Sequence, residues 1–599
     1  MENGTSPRRK SSNKLDSEEV NFDEDPNLKY NLVYGVLENP PIYVSLSLAV
    51  QNILTLLAGA MGFAAVLADL VCVDVTDPLR AQLFSTTVIL AGVATVAQTS
   101  LGTRLPVFQG PSISYLPPML SISRLDNWKC PPKYQIDYIN GSTVEPNTTL
   151  ISKHFTTEYQ HKKLMVFSGS LVCASFFEVV VAFFGIPGIF GRLVSPVTVS
   201  VTLITIGLSL LEIALKYSAL APAVAIPTAA CASVFILYLN GVTLKFPPWS
   251  KKPKEIAIFR NYPLLLAVGI GWILCYIFTV SNYYPSDPNS RSFNARTDTK
   301  LDLIQRTPWF SFPYPGQYGP PKFEIAIFLG FLLSTINSII ESMGDYYAAS
   351  RLCAVPPPPR HAINRGLFSE GLAGVLAGFM GASHATTSYS THIALIGITR
   401  VASRIVLNIA GVMVIIMAIL GKVAASLATI PDPVVGAINF TGLTMMLSVG
   451  ITNLQKTALN ARNTLIIGSS LGLSWVSSSW LYTYPDDINT GNFELDQILK
   501  IILGTQTFVG TLTAILLDNT IPGTLTERGM HHLLPETENT EKPTYHTGEI
   551  VYEFPSIQNF LNKHQSIFGK LAILPPKKVI EVDEETEKLK DEIDQTDLV

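Results

Sequence analysis

Twelve stretches of about twenty mostly apolar residues recur along this chain of 599 residues, and no other feature limits its fold so tightly. A helix needs about 20 such residues to cross ~30 Å of hydrocarbon. The stretches lie near 43–69, 81–101, 164–186, 193–213, 222–241, 262–281, 322–343, 367–381, 405–428, 433–450, 463–482 and 497–518. Two shorter, polar-interrupted stretches near 107–120 and 385–399 bring the expected spans to fourteen. Composition agrees, because only 15% of residues are charged and 48% are hydrophobic. A soluble domain carries about 25% charged residues, so roughly 60 charges are missing for this length. A net charge of −4 with no Lys/Arg stripe also excludes a nucleic-acid partner. The expectation is an all-α polytopic membrane protein in contact with membrane lipid.

Lys and Arg in short loops set the orientation. With both termini cytoplasmic, the loop holding Lys245, Lys251, Lys252, Lys254 and Arg260 faces the cytoplasm, as do those holding Arg351, Arg360 and Arg365. The opposite side receives the acidic loop with Asp486, Asp487, Glu494 and Asp496, and the extracellular loop 121–163. That loop carries two N-x-S/T glycosylation sequons, at Asn140 and Asn147. The domains expected are a disordered N-terminal tail (1–41), a first seven-span repeat (42–281), an extracellular linker (282–321), a second repeat (322–519) and a C-terminal tail (520–599). Cys72 and Cys130 fall in outside loops and could pair, whereas Cys173, Cys231 and Cys275 lie in apolar spans as small hydrophobes.

Fourteen spans divide as seven plus seven. In each half the third segment is short and broken: FQGPSISYLPP (108–118) in the first, SHATTSYSTHIALIG (383–397) in the second. Seven is odd, so the halves form an inverted repeat. Unwound backbone at membrane depth must line a cavity or lie buried in protein, and paired interruptions of this kind mark a transporter's midplane site. Ionisable residues at that depth are expensive and usually functional. The candidates are Glu178, Glu212, Lys216, Glu341, Asp345, Glu370 and Asp518. Glu341 and Asp345 stand four residues apart, so a helix puts both carboxylates on one face. Two like charges there are best compensated by a cation, a proton or a hydrogen-bonding solute. Glu212 and Lys216 have the spacing of an (i, i+4) ion pair at a helix end. No Walker loop, GxSxG, HExxH or CxxC is present, so nothing points to an ATP-driven pump or an enzyme.

The blocks RLPVFQGPS, FFEVVVAFFGIPG, FNARTDT, IIESMGDYYAASRL, PPPPRHAINRGLFSEG, IGITR, IPDPVVGA and LLDNTIPGTLTERG carry a resemblance. Over about 30–530 the chain resembles the nucleobase–ascorbate transporter family, and within it the animal sodium-dependent vitamin C transporter branch. The resemblance implies core and gate domains, a homodimer joined through the gates, and elevator-like movement of the core. It places the solute between the two broken segments and the eighth span, with Glu341, Ser112 and Ser114 as contacts. It links Asp345, beside Glu341, to cation coupling, and so names Asp345 as a sodium ligand. The chain departs from the family pattern at Gln51-Asn52, where Gln-His is usual, and at Thr391-His392-Ile393-Ala394, where an Asn and a Gly are usual. Asn52, Thr391 and His392 therefore join the substrate-contact candidates. Because imidazole titrates near neutral pH, His384 and His392 leave proton coupling open beside sodium. The expected function is a plasma-membrane secondary transporter: sodium-coupled symport of a small polar organic solute, ascorbate-like or a nucleobase, without a cofactor. The alternatives are a proton-coupled nucleobase or urate carrier, and a transport-impaired relative with a binding or regulatory role.

Overall fold

The computed structural model describes residues 32–73, 77–123, 125, 128, 130, 148–187, 193–239, 241–246, 254–256, 258–287, 290–455, 457–530, 549–554 and 571–575. Asn140 and Asn147, with most of both tails, lie outside the described residues.

The chain is mostly helical. Seven described helices are long and apolar enough to cross a membrane: Ile42–Leu70, Pro78–Ser100, Glu158–Phe183, Pro196–Ser218, Pro263–Val280, Ile325–Leu352 and Asp432–Leu454. Pro222–Leu237 and Arg404–Ile419 are apolar but shorter. Several starts are written locally. Asp77 accepts from Leu79 N–H ahead of Pro78, and Ser195 accepts from Thr198 N–H ahead of Pro196. A side-chain acceptor satisfies an orphan donor, and proline at the first helical position lacks one. Exposed Ile226, Leu237, Ile273 and Leu465 give the helices an apolar outer surface.

Two expectations need correction. The stretch read as one span over 497–518 is two helices, Phe493–Gly504 and Gln506–Thr520, bent by 72°. Thr505 adopts φ −86° and ψ 89°, which leaves the helical region and turns the chain. Lys216 does not pair along its own helix with Glu212. Its ammonium lies 3.3 Å from Asp69, on a different helix, where Asp69 also binds Arg80 at 2.6 Å and accepts from the Tyr217 hydroxyl at 2.6 Å.

Close helix packing depends on small residues. The Arg360–Phe379 helix lies against Glu158–Phe183 along Gly371, Gly374 and Gly378. A Cβ at Gly371 would fall 2.9 Å from Val179 N, and one at Gly378 3.0 Å from the Ser168 carbonyl oxygen. Helices in lipid gain little from hydrophobic burial against one another, so backbone approach through small residues supplies the contact.

Cys72 and Cys130 are disulfide-bonded across a separation of 58 residues. Lys163, 2% exposed, donates to the Leu70 and Trp128 carbonyls at 3.0 and 2.6 Å and so ties both flanks of the bridge to the long helix. Replacing both cysteines with serine should lower stability by about 2–4 kcal/mol, the usual range for a closed loop. A fall in the thermal unfolding midpoint of the purified double variant checks this, and a non-reducing peptide map checks the linkage.

Candidate functional site

Both broken segments contain a three-residue strand, and the two strands pair. Gln109–Pro111 runs antiparallel to Thr386–Ser388, with Gln109 opposite Ser388, Gly110 opposite Thr387 and Pro111 opposite Thr386. All six residues are buried. Pairing is what satisfies non-helical N–H and C=O groups where water is absent. Each strand leads into a short helix, Leu116–Ser123 on one side and Ser390–Thr399 on the other. Each helix follows its strand in the chain, so both N-termini, with their partial positive charge, lie near the crossing. Tyr389 closes the crossing from one side. Its hydroxyl donates to the Pro111 carbonyl at 3.0 Å, and its ring lies so near Gly110 that a Cβ there would come within 2.4 Å of it.

The Ile325–Leu352 helix runs past this crossing and reads both segments with one face. Glu341, 7% exposed, accepts from the Ser114 hydroxyl at 3.3 Å. Asp345, one turn on and 5% exposed, accepts from the Ser390 hydroxyl at 2.7 Å. The same helix adds Ser334, donating to the Ser114 carbonyl at 2.9 Å, and Thr335, bonded to the Tyr115 hydroxyl at 2.7 Å. The (i, i+4) spacing visible in the sequence thus reaches two segments more than two hundred residues apart. Ser112 is fully buried; its N–H donates to the Ala385 carbonyl at 2.9 Å, and its hydroxyl has no protein partner. Ser112, Ser114, Glu341 and Asp345 therefore gather around one crossing.

Neither carboxylate lines the cleft that holds Asn52 and His392, and Thr391 directly follows the Ser390 bonded to Asp345. Asn52 and His392 line a narrow cleft with Leu48, Pro106, Thr399 and Leu407. His392 Nε2 lies 3.0 Å from the Asn52 backbone carbonyl, which can only accept, so Nε2 carries the proton. Nδ1 is left to accept from the Thr391 hydroxyl at 3.4 Å, and the ring stacks on Phe108 at 4.6 Å. His384 is held in the same manner: Nδ1 donates to the Ala385 carbonyl at 3.0 Å, and Nε2 accepts from Thr87 at 3.0 Å. Each imidazole thus has one carbonyl, which must accept from it, and one hydroxyl, which can donate or accept.

Two other intramembrane carboxylates have defined surroundings. Asp518 is buried between two guanidinium groups, those of Arg462 and Arg528, each at 2.9 Å, and holds a helix end. Glu370 is a hub. It accepts from Ser342 at 2.6 Å, Tyr346 at 2.7 Å, Ser388 at 2.8 Å and Gln109 at 2.8 Å. Those donors come from the Glu341 helix and from both paired strands. Sequence reasoning named Glu370 as a charge at depth but missed what it joins, and it missed Ser390 and Tyr389. The run TTSYST, dense in hydroxyls within an apolar stretch, was the available signal.

Residues 44–481 match the Xan_ur_permease family, described as a permease family. The chain is 36% identical over 507 residues to rat solute carrier family 23 member 1, covering 84% of this chain and 82% of that protein. It is 35% identical over 550 residues to human solute carrier family 23 member 2, covering 91% and 82%. Against nucleobase-ascorbate transporter 1 of Arabidopsis thaliana it is 29% identical over 497 residues, covering 82% and 89%.

Glu370→Gln puts an amide NH2 where four donors converge on a carboxylate. Unfolding free energy should fall by about 3 kcal/mol, the upper part of the range for losing charged hydrogen bonds. Ser388→Ala, which removes a single donor, should cost about 1 kcal/mol. Denaturant or thermal unfolding of the purified variants gives both values.

Proposed function

The chain belongs to the permease family that holds solute carrier family 23 and the plant nucleobase-ascorbate transporters, and from that premise we propose that it is a sodium-coupled symporter of a small polar organic solute, ascorbate-like or a nucleobase. It is a multi-pass membrane transporter and not an enzyme. The observation that carries the finer reading is the division of labour between Glu341 and Asp345, each bonded to a hydroxyl of a different broken segment.

In this reading the solute binds at the strand crossing. Glu341 accepts hydrogen bonds from solute O–H or N–H groups, and Ser112 and Ser114 supply hydroxyls. The two helix N-termini favour an anionic or electron-rich edge. Asp345 carries the coupling role. The oxygens near it, from its own carboxylate and the Ser390 hydroxyl, are hard donors of the kind Na+ accepts. Sodium is favoured over a histidine-borne proton because both ring nitrogens of His384 and of His392 are already engaged by protein groups, whereas Asp345 offers oxygen donors. Asn52 and His392 then line the cleft beside the site, with Thr391 next to His392 in the chain.

Movement completes the proposal. The fourteen spans form an inverted repeat, with a core that carries the crossing and slides past a gate domain, and two copies join through their gates. The Glu370 hub supports a core that moves as one body, because it bonds the Glu341 helix and both strands together. The Cys72–Cys130 disulfide supports an oxidising, extracellular environment for that face, which agrees with cytoplasmic termini in the plasma membrane and with glycosylation at Asn140 and Asn147.

Glu341→Gln keeps the volume and removes the acceptor charge. Uptake of radiolabelled ascorbate or nucleobase in oocytes should fall at least tenfold, with surface protein unchanged. Replacing external sodium with choline should suppress native uptake, whereas lowering external pH should not stimulate it. Normal uptake by Glu341→Gln would sink the site assignment, and proton-stimulated uptake without sodium would sink the coupling assignment.

A further inference from the structure

On the face opposite the Cys72–Cys130 disulfide, three arginines from separate parts of the chain converge under the segment Glu549–Phe554. Arg104 follows the Pro78–Ser100 helix, Arg365 lies in the first turns of Arg360–Phe379, and Arg404 opens Arg404–Ile419. The Arg104 and Arg365 guanidinium groups both lie against the Phe554 ring, at 4.7 and 4.4 Å from its centroid. Their polar partners are backbone carbonyls. Arg365 Nε donates to Gly102 O at 2.6 Å and Nη2 to Tyr552 O at 2.8 Å. Arg404 Nη1 reaches Arg104 O and Val551 O, each at 3.4 Å. Among the described residues no carboxylate forms an ion pair with any of the three.

Arg365 is 6% exposed, and its Nη1 is buried with no partner; Arg104 Nε is likewise buried and unpartnered. Two cations lie against one aromatic ring, and a third reaches the backbone of the first. Removing guanidinium groups from water without a counter-charge is costly, and backbone carbonyls and a ring face compensate only part of it. The unused donors are on neighbouring guanidinium groups, whose planar forks suit the oxygens of a phosphoryl group better than a spherical anion.

We propose that Arg104, Arg365 and Arg404 form a binding site for a phosphoryl group, with Phe554 as its wall, separate from the transport site. The same chemistry is offered by the headgroup of an anionic phospholipid and by free phosphate. A bound phosphoryl group neutralises the cluster and fixes the Glu549–Phe554 segment to the membrane helices, so the site regulates how that segment is held.

The test uses the purified full-length chain in detergent and follows its thermal unfolding midpoint. One arm titrates inorganic phosphate against chloride at matched ionic strength. The other titrates short-chain phosphatidylinositol 4-phosphate against short-chain phosphatidylcholine. The native chain should be stabilised saturably by at least one phosphate probe and by neither control. Stabilisation by inorganic phosphate identifies a site for free phosphate, and stabilisation by the lipid alone identifies a headgroup site. Arg104→Gln, in a loop, should shift the half-maximal concentration at least tenfold, and Arg404→Gln serves if that variant fails to fold. Failure of both probes to exceed their controls, or an unchanged response in the folded variant, overturns the proposal.

Discussion

Backbone that leaves the helical conformation inside a membrane has few ways to satisfy its N–H and C=O groups. Here two such segments satisfy one another, through a short antiparallel pairing of Gln109–Pro111 with Thr386–Ser388. The rest of the central architecture depends on that pairing. It brings two helix N-termini together and fixes Ser112 and Ser114 beside the Ile325–Leu352 helix. It also requires Gly110, because the Tyr389 ring occupies the volume any side chain would need.

Around the crossing, polar contacts do the work that hydrophobic burial does in water. Ser334, Thr335, Glu341, Ser342, Asp345 and Tyr346 run along one helix and bond to both broken segments or to Glu370. A buried carboxylate with several donors is costly to disturb, since losing one partner leaves a charge partly uncompensated in a low-dielectric setting. Glu370 therefore acts as a fastener within the fold, while Glu341 keeps room for the solute contact proposed for it. The first is enclosed by donors from the Ile325–Leu352 helix and both strands, whereas the second has one hydroxyl at 3.3 Å.

Much of this was legible beforehand because the membrane imposes simple rules. Apolar length located most helices, and the two interrupted segments located the crossing. The (i, i+4) spacing of Glu341 and Asp345 foretold their shared face. Other features could not be read along one chain. Lys216 lies in sequence beside Glu212, yet its partner is Asp69, nearly 150 residues away. The bend at Thr505 carries no proline and follows a glycine, a weak signal within an apolar run. His392 suggested a titrating group by residue type alone. Its two hydrogen bonds, to Asn52 and Thr391, are long-range and local contacts that only the fold defines. The meeting of Arg104 and Arg365 at Phe554 was equally invisible, since the three residues lie far apart along the chain.

In the proposed mechanism the solute sits where the two strands cross, against Glu341. The most direct measurement is an experimental structure of the full-length chain with saturating ascorbate or nucleobase, whichever it takes up. The account predicts ligand density within hydrogen-bonding distance of the Glu341 carboxylate and of the Ser112–Ser114 stretch. Well-ordered ligand confined to another cleft, with Glu341 still bonded only to Ser114, would contradict it.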